Sequence, residues 1–188
     1  MRCLFITHPE VVVQPLVPIQ HWHLAEHGRG RARGFAASGA LAGVDLLISS
    51  TETKAAETAD LIGEALGLPT VRSAQLGEND RSSTGFLPLD EFERTADAFF
   101  AEPDQSIRGW ETAIDAQNRV VGAVQEAVLT YEGKHIAFVA HGAVGTLLLC
   151  TLRGVPISRV HDQPRQGSWY AFDAQTWQAE SGWLALPD

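Results

Sequence analysis

The sequence predicts an α/β chain folded as a three-layer α/β/α sandwich around a mostly parallel central sheet. Short apolar runs alternate with helix-patterned segments, the order that strand–helix–strand units produce. Two of those runs, Leu4-Phe5-Ile6-Thr7 and Ile136-Ala137-Phe138-Val139-Ala140, end directly in a histidine, His8 and His141. Neither run alternates polar with apolar residues, so each predicts a strand buried on both faces. The length, 188 residues, suits one domain over 1–188 whose core needs no crosslinks.

The elements follow in order. Arg2 to Thr7 reads as the first strand, and Pro9, Pro15 and Pro18 hold residues 9–21 as an extended loop. A helix is expected from Leu24 to about Leu41, weakened by Gly28, Gly30 and Gly34. Val44 to Ser49 predicts a strand. The next helix is expected to be capped by Ser50 or Thr51, to bury Ala55, Ala59, Ile62 and Leu66, and to stop at Gly67 and Pro69. A short strand around Val71 leads to Leu76-Gly77-Glu78. Residues 79 to about 110 differ in texture and are expected to form an insertion or lid over one end of the sheet. A helix from Glu111 to Tyr131 should turn Ile114, Val121, Val124, Val128 and Leu129 inward. After the second histidine-ended strand, Val144 to Leu152 predicts a buried helix, and Trp169 to Phe172 a closing strand.

Composition narrows the function. The net charge of −9 argues against nucleic acid or an anionic membrane as a partner. Cys3 and Cys150 lie in apolar runs without flanking charge and read as buried thiols of a reducing compartment. No signal peptide or membrane-spanning run is evident, so a cytoplasmic location is expected. His21-Trp22-His23 lacks a third nearby ligand, so no metal and no other cofactor are expected. Arg29, Arg31 and Arg33 read as a solvated helix face. Phe86, Phe99, Phe100 and Trp110 could line a pocket under the lid; the small core of the lid itself is the preferred reading for at least Phe99.

In open parallel sheets, ligands bind beyond the carboxyl ends of the strands. His8, Ser49-Ser50, Glu78 and His141 all fall there, and Lys54 follows one turn into a helix. Two imidazoles, a lysine, a carboxylate and helix N-termini suit an anionic substrate. A histidine can attack phosphorus, and a carboxyl with a raised pKa can serve as proton donor.

These residues resemble the histidine phosphatase superfamily, whose fold is that of phosphoglycerate mutase. The family opens with a strand and Arg-His-Gly-Glu-Thr; here Thr7-His8-Pro9-Glu10-Val11 follows the strand. Its Gly-x-x-Gln-Ala helix is matched by Gly28-Arg29-Gly30-Arg31-Ala32, preceded by Leu24. Its Ser-Ser-x-x-x-Arg-Ala-x-x-Thr-Ala is matched by Ser49-Ser50-Thr51-Glu52-Thr53-Lys54-Ala55-Ala56-Glu57-Thr58-Ala59. Its Leu-x-Glu falls on Leu76-Gly77-Glu78, and its strand-ending His-Gly on His141-Gly142. The resemblance implies a phosphohydrolase acting on a phosphomonoester, small molecule or phosphoprotein, through a phosphohistidine. In that scheme His8 is the nucleophile, His141 a donor to the phosphoryl oxygens, and Glu78 the acid that protonates the leaving oxygen and then activates water. The family needs no metal for this.

The departures fall in the site. Thr7 stands where the family has its first arginine, Lys54 where it has its second, and Pro9 where it has glycine. Lysine keeps charge but loses the bidentate fork, threonine offers only a hydroxyl, and proline removes an N–H. Thr7, Lys54 and Arg81 are therefore the candidate phosphate-binding residues, although Thr7 reads more readily as packing and Lys54 equally as a surface lysine; Arg81 is first in line as a replacement cation, with Arg29 and Arg165 behind it. Retained His8, Glu78 and His141 favour catalysis, of reduced efficiency. The altered Thr7 and Pro9 favour the alternative, a catalytically impaired relative that binds a phosphorylated or other anionic ligand, or a protein partner, without turnover.

Overall fold

The computed structural model describes residues 1–188. Its strands are β1 (Arg2–Thr7), β2 (Leu46–Ser50), β3 (Thr70–Ser73), β4 (Ile136–Ala140), β5 (Ser168–Asp173), β6 (Gln178–Ala179) and β7 (Leu184–Ala185). They form one sheet in the order β3-β2-β4-β1-β5-β6, with β7 also paired to β5. β1, β2, β3 and β4 run parallel, whereas β5 lies antiparallel to β1. The sheet is therefore mixed, with its parallel half holding all the strands that end in candidate site residues.

The helices are α1 (Glu26–Ala37), α2 (Thr53–Leu66), α3 (Leu89–Ala101), α4 (Ala113–Thr130) and α5 (Gly142–Arg153). Successive residues of β1 face opposite ways, and both sets are buried. Leu4 and Ile6 pack with Phe35 and Ala36 of α1 and with Ala59 and Ile62 of α2. Cys3 and Phe5 pack on the other face with Val120 and Val124 of α4 and Val144, Leu147 and Leu148 of α5. This double burial is why β1 and β4 carry uninterrupted apolar sequence. No helix is long and apolar enough to cross a membrane.

Several expectations need correction. The buried stripe of α4 is Ala113, Ala116, Val120, Val124 and Ala127, and Leu129 is 79% exposed. The true stripe runs through alanines, which let α4 approach its neighbours closely but give little apolar signal in the sequence; Val121 and Val128 pack only at its margin. The N-cap of α2 is Glu52, not Ser50 or Thr51, and Ser50 Oγ instead accepts the Glu52 N–H at 3.1 Å. Leu66, expected inside, is 39% exposed at the end of that helix. Phe99, Phe100 and Trp110 do not make a separate small core. They join the main apolar layer with α4 and α5.

Arg31 is the largest departure. It was expected on a solvated face, yet its side chain is fully buried. Its guanidinium donates to Glu10 Oε1 at 2.6 Å and to the carbonyls of Gln166 (2.8 Å), Gly167 (3.0 Å), Leu186 (3.0 Å) and Pro187 (3.2 Å). A planar fork of five N–H donors is the one side chain that can satisfy this many acceptors at once. Arg31 thereby ties the loop after β1 to the loop before β5 and to the chain's last residues. Gly28, one turn earlier, permits the same approach: a Cβ there would lie 2.4 Å from the Glu10 carbonyl oxygen. Arg29 and Arg33 do face outward, as expected.

Replacing Arg31 by Met should lower stability by about 3 kcal/mol, because Glu10 and four carbonyls lose their donor together. Gly28→Ala should lower it by about 1–3 kcal/mol, since the clash is with backbone. Urea denaturation of each variant, at unchanged slope, checks both values.

Candidate active site

Parallel pairing of β1 with β4 sets Thr7 opposite Ala140. The ladder continues one step further, with His8 N–H donating to the Ala140 carbonyl at 3.1 Å. His8 and His141 consequently leave the sheet side by side, their ring centroids 5.3 Å apart and nearly perpendicular. Both are buried, at 8% and 0% exposure. His8 lines a cavity of about 400 Å³ together with Lys54, Glu78, Asn79, Arg81, Trp110 and Gln163, among others.

His8 Nδ1 lies 2.9 Å from the Pro9 carbonyl oxygen. A carbonyl only accepts, so the proton resides on Nδ1 and Nε2 keeps its lone pair. Burial first, and then the Lys54 charge, push the His8 pKa down to about 4. The ring is thus neutral and nucleophilic above that pH. His141 Nε2 pairs with Ser50 Oγ at 2.9 Å, while its Nδ1 has no partner. Burial holds its pKa well below the usual histidine range, against the pull of the Glu52 carboxylate.

Glu78 follows a short 3₁₀ turn after β3. Its carboxylate accepts N–H groups of Val144 (3.2 Å), Ala143 (3.4 Å) and Asn79 (3.2 Å), so it sits on the N-terminus of α5. That dipole and Arg81 favour the ionised form, but burial outweighs them and the pKa is raised. From α4, Arg119 donates to the carbonyls of Gln75, Gly77 and Glu78 and forks onto Glu111, clamping the backbone that carries Glu78.

Arg81 lies over the rings of Phe92 and Trp110, 5.0 and 5.9 Å from their centroids, and forms no salt bridge. It is a cation held by aromatic faces at the cavity wall. Lys54, only 2% exposed, is spent differently: Nζ donates to Glu52 Oε2 at 2.5 Å and to the Ile19 carbonyl at 3.0 Å. Thr7 does not line the cavity. Its hydroxyl donates to Gln163 Oε1 at 2.6 Å and accepts from Ser168 N–H at 2.9 Å, so it binds β1 to the β5 side. The strand register dictates this, because Thr7 still lies inside the sheet. The weaker candidates are also engaged elsewhere, Arg29 with Glu57 and Arg165 with Asp188, though Arg165 does reach the cavity rim.

Two residues escaped the sequence reading. Glu52 contacts Lys54, the Glu78 N–H (2.8 Å) and, at 3.5 Å, His141 Nε2. Burial works to raise its pKa, but the Lys54 charge and hydrogen bond and the Glu78 N–H outweigh it and hold the carboxyl below the usual range. Asn79 is 4% exposed with an unpartnered amide nitrogen, and it lines the cavity. The signal for Glu52 was available, since an acidic residue two before a lysine at a helix start can meet it; nothing local marked Asn79. No group of three side chains is placed to hold a metal ion.

Comparison with known proteins comes to the same place from outside. The family model of the histidine phosphatase superfamily (branch 1) matches residues 17–181. A Bacillus subtilis (strain 168) protein described as uncharacterized phosphatase PhoE is 31% identical over 110 residues, 58% of this chain and 54% of its own length. The match thus spans about half of that relative. Among solved structures, Bacillus stearothermophilus YhfR superposes with a TM-score of 0.81 at 22% identity, covering 95% of this chain and 94% of its own. A mycobacterial glucosyl-3-phosphoglycerate phosphatase superposes with a TM-score of 0.78 at 19% identity, covering 97% and 95%. At these identities the structural likeness establishes the fold.

The buried site groups should make stability pH-dependent. His8 has a folded pKa near 4 against an ordinary value of 6.5. Between those values the unfolded chain binds more protons, so stability falls as pH drops through that window. Glu52, at about 2 folded against 4.5, adds a further loss as pH falls from 4.5 towards 2. Urea midpoints measured from pH 8 downward should therefore hold steady above about 6.5 and then decline, and His8→Asn should flatten the upper part of the decline.

Proposed function

The chain belongs to the histidine phosphatase superfamily, and on that premise we propose that it is a phosphohydrolase that acts on a small phosphorylated molecule through a phosphohistidine at His8. The observation that carries this reading is the pairing of His8 Nδ1 with the Pro9 carbonyl. It leaves Nε2 unprotonated on a ring that lines the cavity also lined by Glu78.

His8 Nε2 donates its lone pair to phosphorus, and the bond to the leaving oxygen breaks. Protonated Glu78 gives its proton to that oxygen, releasing an alcohol. The carboxylate so formed then takes a proton from water, whose oxygen attacks phosphorus and frees His8. Glu78 suits both halves because burial raises its pKa while the α5 N-terminus and Arg81 keep the carboxylate accessible. Arg81, without a carboxylate partner, is the cation free to meet the phosphoryl oxygens. Asn79, with its amide N–H groups unused, is a neutral donor beside it. His141 supports His8 edge-on, and its unpartnered Nδ1 can complete the ring of donors.

A second reading rests on Lys54. Its ammonium is already neutralised by Glu52, and Thr7 brings no charge, so the site holds less free positive charge than the family pattern implies. A protein that binds an anion without turning it over fits that feature.

A screen of phosphomonoesters with the wild type and His8→Ala separates the two. Turnover lost in the variant, with an acid-labile phosphoryl group trapped on the wild type only, is expected. Binding without turnover and without a trapped phosphoryl group would leave the second reading standing. Arg81→Ala should lower kcat/KM by about 100-fold, as for loss of a charge-assisted donor aimed at the transition state. Glu78→Gln should lower kcat by about 100- to 10,000-fold. Steady-state kinetics on the best substrate checks both.

A further inference from the structure

We propose that Glu52 is a specificity-determining residue that makes this site select a singly charged phosphoryl group, a phosphomonoester taken up with one proton on its phosphoryl oxygens, over the dianion. The inference rests on the phosphohydrolase reading of the site but concerns only the charge it accepts.

Glu52 stands among the groups a phosphoryl oxygen would use. One oxygen takes a Lys54 Nζ–H at 2.5 Å; the other takes the Glu78 backbone N–H at 2.8 Å and lies 3.5 Å from His141 Nε2. The pair is local to the chain, two residues apart at the start of α2, and Lys54 is buried, so its charge cannot be redirected without desolvating Glu52. In effect the protein supplies its own anion to its own cation.

The charged and titratable groups facing Glu52 can be counted element by element. β1 and β4 deliver His8 and His141, and α2 delivers Lys54. The loop after β3 delivers Glu78 and Arg81, and α4 delivers Arg119, which Glu111 offsets. Across the cavity Arg159 is met by Glu93 and Asp162 and Arg165 by Asp188, so neither adds free positive charge; with both imidazoles neutral, Lys54 and Arg81 are balanced by Glu52 and Glu78. Once Glu78 is protonated, as its role as acid requires, a single positive charge remains. A monoanion matches it; a dianion leaves one negative charge uncompensated beside Glu52, which lines the adjoining cavity together with Glu78, Asn79 and Arg81.

Coulomb energy is linear in ligand charge, so the effect of Glu52 on a dianion is the square of its effect on a monoanion. Calorimetric titration of the wild type and Glu52→Gln with inorganic phosphate, sulfate and dimethyl phosphate tests this. Sulfate stays a dianion throughout, so its curve reports the protein's own titration, and the phosphate-to-sulfate ratio reports the ligand's. In the wild type that ratio should fall as pH rises through the second ionisation of phosphate. Glu52→Gln should tighten sulfate by about tenfold and dimethyl phosphate by about threefold, the square relation for a charge-assisted contact of ordinary strength. A wild-type ratio constant across pH, or equal gains for sulfate and dimethyl phosphate, would overturn the proposal. The wild-type ratio needs no variant and stands even if Glu52→Gln misfolds. Dimethyl phosphate that fails to match the low-pH affinity of phosphate supports the protonated monoester as the species bound; a match overturns that choice in favour of a diester. Phosphoryl trapping on His8 is read separately, so loss of the phosphohydrolase reading and loss of the charge selection remain distinguishable.

Discussion

One backbone hydrogen bond, from His8 N–H to the Ala140 carbonyl, is the constraint on which the site depends. It is the last rung of the β1–β4 ladder. Because the two strands are parallel and both stop at this rung, two residues far apart in sequence emerge at the same height with their rings 5.3 Å apart. The site then assembles from whatever the neighbouring elements bring to that height: Ser50 and Lys54 from β2 and α2, Glu78 from beyond β3, and the first amides of α5. A slip of one residue would turn His8 into the core and aim Thr7 at the substrate. Thr7 opposes the slip, because its hydroxyl is held inside the sheet by Gln163 and by the Ser168 N–H and would lose both partners.

The same level of the sheet explains what the sequence disclosed. His8, Glu78 and His141 were legible because each follows a strand, and strand ends in a parallel sheet converge by topology. Thr7, which reads as packing more readily than as a ligand, needed the register, since a residue inside the ladder and one just outside it look alike in a string of letters. The buried stripe of α4 was misread because alanine is weak evidence for a buried face. Arg31 was misread for the opposite reason. A charged residue on a glycine-rich helix reads as solvated unless its acceptors are known, and here they are carbonyls from segments more than 130 residues away. Local pattern carries no information about partners at that distance.

The altered motif around His8 has a physical logic. Pro9 cannot donate an N–H, but its carbonyl sets the tautomer of His8. Thr7 gives up any role at the phosphoryl group and instead fastens β1 to Ser168 and Gln163. The region matched by the family model begins at residue 17, after this segment. Thr7 leaves β1 without a cation beside His8, and Arg81 stands at the cavity wall under aromatic faces that hold it without neutralising it.

Arg31 has a consequence for how the protein is made. Its acceptors at Gln166, Gly167, Leu186 and Pro187 follow it by 135 residues or more. Contacts of such sequence separation close late, after local helices have formed, as does the β1–β4 pairing that spans a similar length of chain. The loop bearing Pro9 and Glu10 must therefore wait for β5 and the tail before it can settle against His8. A nascent chain carries His8 early, but the loop beside it gains its Arg31 anchors only once Leu186 and Pro187 have been made, so the two histidines and their loop are set in place in one late step of folding.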